Sequence, residues 1–130
     1  LYNLGYDVVC PDLGFTESHQ IAVDVSKLGG GDKIAKMLEE VGIILNKNLL
    51  PWDDVKKADN PSGIRIGVQE VTRLGMKEDE MDAIAELIDM TIKERSKEEI
   101  RMLVRELKSQ FTTVKYTFEE CPAYDFPGLC

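Results

Sequence analysis

The chain has 130 residues, of which 43% are hydrophobic and 31% are charged. This composition is typical of a soluble globular protein and excludes disorder or a fibrous repeat as the default, and the length predicts one domain. Sixteen basic against twenty-four acidic residues give a net charge of −8, which repels nucleic-acid phosphates and anionic lipid surfaces. We therefore expect no nucleic-acid binder and no membrane protein, because no run approaches the roughly 18 apolar residues of a membrane helix.

The first residues give two expectations about the context of the chain. Leu1 to Cys10 lacks the basic flank and long apolar stretch of a signal peptide, so we expect a cytoplasmic protein. Leu1 to Gly5 resembles the last turn of a helix that ends at a C-cap glycine. Because the chain starts with Leu1 and not with Met, we expect a segment of a longer protein.

The cysteines and the single histidine predict neither a metal site nor a disulfide framework. Cys10, Cys121 and Cys130 are odd in number and include no C-x-x-C pair. A cysteine nucleophile needs a base, and His19 is the only histidine available. We predict reduced thiols, a packed or surface His19, and a loose, Pro-rich tail from Cys121 to Cys130.

Hydropathy periodicity predicts an α+β fold. Alternation and β-branched runs indicate strands, whereas apolar residues spaced by three and four indicate helices. The elements predicted for the first half are strand His19–Val25, a helix from Asp32 that Gly42 ends, strand Ile43–Leu45, loop Asn46–Pro61 and strand Gly63–Val68. In the second half, Lys77–Glu94 carries one apolar stripe, and Ser96-Lys97-Glu98-Glu99 is a capping box that opens another amphipathic helix. This order predicts a short antiparallel or mixed sheet with helices on one face.

Arg65 is the binding candidate that the residues themselves indicate. Strand alternation points its side chain away from the face that Ile64 and Ile66 bury. The neighbouring Gly63 and Gly67 are expected to leave room beside it. A guanidinium is a rigid fork of donors that meets a carboxylate in two parallel, charge-assisted hydrogen bonds. The alternative is a solvated strand arginine that has no ligand.

Two weaker signals precede Arg65. Asn46-Lys47-Asn48 opens the long loop with amide groups that suit either the edge of a polar heterocycle or a turn of the chain. The run Gly29-Gly30-Gly31 precedes a helix, where it can cradle a phosphate, but it lacks G-x-G-x-x-G spacing and a Walker lysine. We predict a flexible hinge for the glycine run.

Three stretches of the chain belong together: Thr16-Glu17-Ser18-His19-Gln20, Gly42-Ile43-Ile44-Leu45-Asn46-Lys47-Asn48-Leu49-Leu50-Pro51 and Ser62-Gly63-Ile64-Arg65-Ile66-Gly67. In this order and spacing they resemble the C-terminal domain of the serine hydroxymethyltransferase family. The specific signature is N-K-N-x-x-P followed, after a short loop, by S-G-I-R-I-G. Thr72-Arg73-x-Gly75-Met76 extends the resemblance over roughly residues 16 to 95, and it is greatest to archaeal members.

The resemblance implies a pyridoxal-phosphate enzyme of fold type I, the aspartate-aminotransferase fold. It implies that residues 1–15 are the end of an inter-domain helix and the segment leading into the domain, 16–113 the C-terminal small domain and 114–130 a C-terminal tail. The Schiff-base lysine, the ring-stacking residue and the phosphate pocket of such enzymes belong to the large domain. We therefore expect no catalytic, cofactor-binding or metal-binding residue in this segment, and no activity from the segment alone.

Two site residues follow from the resemblance by position. Arg65 in S-G-I-R-I-G matches the arginine that holds the carboxylate of serine or glycine. Asn48, the second Asn of N-K-N, matches a residue that contacts the pterin. After Gly67 the family usually continues with Thr-Pro-Ala, whereas this chain has Val68-Gln69-Glu70. The carrier therefore stays open between tetrahydrofolate and tetrahydromethanopterin.

The implied activity is the reversible interconversion of serine and glycine, with transfer of the hydroxymethyl carbon to a reduced pterin. The resemblance also implies a pterin-independent aldolase side activity and a cytoplasmic homodimer. Two alternatives remain. The small domain of a threonine aldolase or an aminotransferase would keep a carboxylate arginine without needing N-K-N. A non-enzymatic, acidic interaction module would need neither motif.

Overall fold

The structure, a computed structural model, describes residues 1–115 of the chain. The strands in this part are β1 Asp7–Val8, β2 Gln20–Asp24, β3 Asn46–Asn48 and β4 Gly63–Gly67. The helices are α1 Gly31–Glu40, α2 Gln69–Arg73, α3 Glu78–Ile92 and α4 Lys97–Ser109. None of these helices is long and apolar enough to cross a membrane. The predictions for Cys121, Cys130 and the Pro-rich tail fall outside the described residues.

The strands form one antiparallel sheet in the order β1-β2-β4-β3. The predicted α+β class and short antiparallel sheet are thereby confirmed. The strands predicted at His19–Val25 and Gly63–Val68 are present as β2 and β4, with slightly shorter ends. β1 was not predicted, because a strand of two residues is too short for alternation to show.

The strand predicted at Ile43–Leu45 is wrong, because strand pairing begins only at Asn46. Gly42, at φ +89°, ends α1 in a Schellman motif, in which the Ile43 N–H donates to the Leu38 carbonyl at 3.0 Å. The backbone of Ile43 is therefore committed to the helix end while its side chain packs on the core. The long loop predicted to follow contains β3 instead.

Helices α1 and α3 cover one face of the sheet, as predicted. Val23 on β2 pairs with Val8 on one side and with Ile64 on the other, so the three side chains form a row on the covered face. The buried core around this row consists of Val8, Val23, Val25, Ile34, Leu38, Ile64 and Ile88. A second cluster packs α4 on α3 through Val41, Leu87, Ile100 and Val104. The three predicted amphipathic helices are confirmed as α1, α3 and α4, whereas α2 has five residues, too few to show periodicity.

The glycine run before α1 is a site of close packing. The Gly31 N–H donates to the Pro61 carbonyl at 2.7 Å, and the Asp32 N–H donates to the Asn60 side-chain oxygen at 3.1 Å. A Cβ on Gly31 would collide with the carbonyl oxygen of Gly63. The start of α1 is therefore locked against the start of β4. This packing replaces the predicted hinge, and these two N–H groups are not free to bind a phosphate.

The connection between β3 and β4 is closed by one carboxylate. Asp53 accepts hydrogen bonds from the Leu50 N–H at 3.0 Å, from the Ser62 N–H at 2.9 Å and from the Ser62 hydroxyl at 2.5 Å. The Asp53 side chain is 1% exposed, and Lys57 Nζ lies 3.6 Å from its Oδ1. The bond from the Ser62 hydroxyl, followed by that from Leu50, lowers the pKa of Asp53 to about 2. The closure therefore depends on an ionised carboxylate.

The N-terminal segment is tied to α3. Tyr2–Leu4 form a 3-10 turn, and Gly5 follows at φ +91°, which confirms the predicted C-cap glycine. The Tyr6 hydroxyl donates to Asp89 Oδ1 at 2.9 Å, and Lys93 Nζ donates to the other oxygen of the same carboxylate at 2.9 Å. Burial and the bond to Asp89 raise the pKa of Tyr6, so this hydroxyl stays protonated and keeps donating.

We expect Gly31→Ala to lower the free energy of unfolding of the chain by about 2 to 3 kcal/mol, because a backbone oxygen cannot rotate away from the added methyl group. Urea denaturation of the purified chain measures the loss. Gly42→Ala is the matched control, since Gly42 has a left-handed φ but its Cβ would meet nothing closer than 3.6 Å. Its cost should be about 1 kcal/mol. Equal losses in the two variants would contradict the close-packing explanation.

Acidification should remove the contribution of Asp53 to stability between about pH 4 and about pH 2. The carboxyl has an ordinary pKa of 3.8 and a folded-state pKa of about 2. The unfolded state therefore binds more protons in this window, and stability falls as the pH falls. We expect the difference in free energy of unfolding between the wild type and Asp53→Asn to be constant above about pH 4 and to shrink below it. Urea titrations at each pH test this.

Asp59→Asn is the control for that titration, because the Asp59 carboxylate makes no hydrogen bond or ion pair within residues 1–115. It should leave stability nearly unchanged at every pH. A difference between the wild type and Asp53→Asn that persists undiminished at about pH 2 would show that the charge of Asp53 does not matter.

Candidate functional site

The sheet face opposite α1 and α3, called the outer face from here on, carries both predicted binding residues. Alternation along β4 places Arg65 on this face, between Gly63 and Gly67. On β3, Asn46 pairs with Arg65 and Asn48 pairs with Gly63. Residues that pair directly in an antiparallel sheet project to the same face. The structure therefore brings Arg65 and both asparagines together on the outer face.

Arg65 is exposed and has no ion pair or hydrogen bond with any side chain of residues 1–115. Its partner on β3 is the uncharged Asn46. Asp24, which is also on the outer face, uses its Oδ1 to accept the Ser26 N–H at 2.8 Å. The guanidinium therefore keeps its donors for a ligand. A carboxylate is the group that matches those donors in both geometry and charge.

The prediction of open space beside Arg65 is wrong, because side chains fill both glycine positions. A Cβ on Gly63 would lie 2.6 Å from Leu50 Cδ2, and a Cβ on Gly67 would collide with the Gln69 amide oxygen. The two glycines thus admit Leu50 and Gln69 onto the outer face. Arg65 stands between a leucine that is 3% exposed and an amide. Sequence reasoning missed both neighbours, since neither position shows a periodic signal.

Asn48 is half-buried, and its amide orientation is set by a local hydrogen bond. The side-chain Nδ2 donates to the Leu49 carbonyl at 2.7 Å. The side chain makes no other hydrogen bond to the part of the chain that the structure describes. Its amide oxygen and second N–H are therefore available, and this acceptor and donor pair suits the edge of a polar heterocycle. The N-K-N stretch is an edge strand, not the turn that was the alternative interpretation.

Lys47 lies between the two asparagines and projects toward the opposite side of the strand. Its Nζ donates to Asp32 Oδ1 at 2.9 Å and to the Asp59 carbonyl at 2.7 Å. Lys36 also donates to Asp32, at 2.6 Å, and the bonds from Lys36 and Lys47 lower the pKa of Asp32. Lys47 therefore ties β3 to the first turn of α1. Nothing in the sequence pattern identified this tether.

His19 and Cys10 are not among the residues brought together on the outer face. Both side chains are exposed, and a surface position is one of the two that we predicted for His19. The outer face offers an unpaired guanidinium and an oriented amide, so it can bind a small molecule that carries a carboxylate or a polar ring.

Known proteins of one family match this chain over most of its length. The family model described as serine hydroxymethyltransferase matches residues 1–88, which include every strand of the sheet. A protein named serine hydroxymethyltransferase from Archaeoglobus fulgidus is 62% identical over 130 residues, which are 99% of this chain and 30% of that protein. Proteins of the same name from Thermoplasma volcanium and Methanosphaera stadtmanae are 56% and 54% identical, over 99% and 97% of this chain. The chain spans about 30% of the length of these relatives, and it belongs to the serine hydroxymethyltransferase family.

Proposed function

We propose that this chain is the C-terminal small domain of a serine hydroxymethyltransferase, an enzyme of pyridoxal-phosphate fold type I. The observation that carries the proposal is Arg65, unpaired on the same outer face as an available Asn48, in a member of this family. In this proposal residues 16–113 form the small domain. Residues 1–15 complete an inter-domain helix and lead into the domain, to whose sheet they add β1, and residues 114–130 form a C-terminal tail.

The proposed reaction interconverts serine and glycine reversibly. The hydroxymethyl carbon of serine passes to a reduced pterin, either tetrahydrofolate or tetrahydromethanopterin, and glycine remains. Cleavage of other β-hydroxy amino acids without the pterin is the proposed side activity. The enzyme is proposed to work in the cytoplasm as a homodimer.

Pyridoxal phosphate is the cofactor that the family implies, and the described residues do not fit its phosphate at the glycine-rich start of α1. The N–H groups of Gly31 and Asp32 are bonded to Pro61 and Asn60 there. Lys47, the lysine within N-K-N, is ion-paired with Asp32. We assign the lysine and phosphate pocket of the cofactor to a large domain outside this chain, and we expect the chain alone to be inactive.

Arg65 is assigned to the carboxylate of serine or glycine. Two parallel hydrogen bonds from its guanidinium hold the carboxylate plane, and this fixes the direction of the bonds at the α-carbon. Orientation of this kind supplies a large part of the rate of such reactions, because the bond that breaks is already aligned. Arg65 is therefore a binding and orienting residue, and no proton transfer is assigned to it.

Asn48 is assigned to the pterin. Its free amide oxygen and N–H complement the alternating donors and acceptors at the edge of a pterin ring. Since the aldolase side reaction uses no pterin, Asn48 should serve only the transfer reaction.

Membership of the family favours this proposal over the alternatives. A threonine aldolase or an aminotransferase would need the carboxylate arginine but not an asparagine aimed at a pterin. A non-enzymatic interaction module would need neither Arg65 nor Asn48. Both residues stand in the matched region of residues 1–88.

In the complete enzyme, we expect Arg65→Lys to raise KM for serine and to lower kcat together. Lysine keeps the charge but loses the planar fork, so the α-carbon is held loosely and its scissile bond is poorly presented. Arg65→Ala should be worse, because the carboxylate loses its charge partner. Steady-state kinetics and thermal melts measure these effects, and stability should change little, since Arg65 is exposed.

Arg105→Lys is the matched control for this experiment. Arg105 is exposed on α4 and makes no hydrogen bond or ion pair within the described residues, so both kinetic constants should stay near wild type. Serine kinetics in Arg65→Lys that equal those of Arg105→Lys would contradict the carboxylate assignment.

We expect Asn48→Ala to weaken the pterin-dependent reaction and to leave pterin-independent cleavage of β-hydroxy amino acids nearly intact. Loss of one buried hydrogen-bond partner costs about 1 to 3 kcal/mol, which corresponds to a roughly 5- to 150-fold rise in KM for the pterin. The two reactions are measured on the same enzyme preparation, so the aldolase rate is an internal control. Equal losses in both reactions would mean that Asn48 has a structural role.

A further inference from the structure

Asp53 lies outside both binding assignments, yet its carboxylate joins the two ends of the connection that links β3 to β4. At one end it accepts the Leu50 N–H, and at the other it accepts both the N–H and the hydroxyl of Ser62. The carboxylate is 1% exposed. A group that is buried and bonded at three points holds its neighbours in place, because breaking any bond leaves a buried polar atom without a partner.

Ser62 carries this constraint into β4, which begins at the next residue. Its N–H and hydroxyl bond to Asp53, and its carbonyl accepts the Val25 N–H at 2.8 Å. The Ser62 residue is 6% exposed. The peptide groups on both sides of Ser62 are therefore held, and the direction in which β4 leaves this point is set.

Leu50 carries the constraint onto the outer face. Its N–H is bonded to Asp53, and its side chain lies over Gly63, where a Cβ would come within 2.6 Å of Leu50 Cδ2. Gly63 and Arg65 are alternate residues of β4 and share that face. The leucine therefore fills the outer-face position that precedes Arg65 along β4, and this limits the directions in which the Arg65 side chain can extend.

We propose that Asp53 is a positioning residue for Arg65, acting through Leu50 and Ser62 and not through contact with substrate. This inference rests on the proposed function, because it takes Arg65 as the group that binds the carboxylate of serine. The carboxylate at position 53 accepts both N–H groups on one oxygen and the Ser62 hydroxyl on the other. An asparagine could keep its oxygen for the two N–H groups, but its uncharged amide would turn N–H groups toward the Ser62 hydroxyl and lose the charge-assisted bond.

The test is a double-mutant cycle in the complete enzyme, with KM for serine as the readout. Asp53→Asn alone should raise this KM roughly 5- to 20-fold, because Arg65 is then held less well. In an Arg65→Lys background, Asp53→Asn should raise it by less than about 2-fold, because the fork that Asp53 positions is already gone. A merely structural role would give the same fold-change in both backgrounds.

Two further variants keep the test decisive. Ser62→Ala removes one of the three bonds and should give a smaller rise in KM with the same loss of effect in the Arg65→Lys background. It replaces Asp53→Asn if that variant does not fold. Asp59→Asn removes a carboxylate from the same connection that makes no bond within residues 1–115, and it should leave KM unchanged.

The outcomes separate the inference from the function on which it rests. If Arg65→Lys alone leaves KM for serine unchanged, the carboxylate assignment fails and the positioning role falls with it. If Arg65→Lys raises KM but Asp53→Asn multiplies it by the same factor in both backgrounds, the proposed function stands and the positioning role of Asp53 is overturned. If Asp53→Asn raises KM in the wild-type background but not in the Arg65→Lys background, the result supports both the proposed function and the positioning role of Asp53.

Discussion

The two-sided pairing of β4 is the constraint on which the rest of the structure depends. β4 pairs with β2 along one edge and with β3 along the other, so a change of register on either side would send alternate side chains to the wrong face. Ile64, 1% exposed in the core, directly precedes the exposed Arg65. Burial of Ile64 therefore decides where Arg65 points, because a slip of one residue would bury a guanidinium without a partner.

The edge strand β3 is the weakest part of this arrangement, and side chains outside the sheet hold it. A strand of three residues contributes few ladder hydrogen bonds of its own. Lys47 ties it to Asp32 at the start of α1, and Asp53 closes the connection behind it. Since these tethers are ion pairs and charge-assisted hydrogen bonds, the geometry of the candidate site depends on the ionisation of a few aspartates and not on apolar packing alone.

The net charge of the chain is −8, but this value does not indicate how charges are available around the outer face. Several acidic side chains around the sheet are committed to structural partners: Asp24 accepts a backbone N–H, Asp32 is held by two lysines, Asp53 closes a connection and Asp89 binds the N-terminal segment. Arg65 is left without an ion pair among the described residues. A chain whose net charge repels anions at a distance thus keeps one unpaired guanidinium on the outer face, whose donors match a carboxylate in geometry at short range.

Hydropathy periodicity determined the larger elements, because each buries one side and burial of one side imposes a spacing of 3.6 or 2 residues. The same alternation identified Arg65 as an outward-facing residue. Periodicity failed at Ile43–Leu45, whose apolar side chains belong to a helix end, and at Asn46–Asn48, a polar strand without a hydropathy signal. Only the tertiary structure decided that the space over Gly63 is filled, and that Asp53 bonds to both ends of its connection. Contacts of this kind join residues through space at irregular separations, so they leave no periodic trace in the sequence.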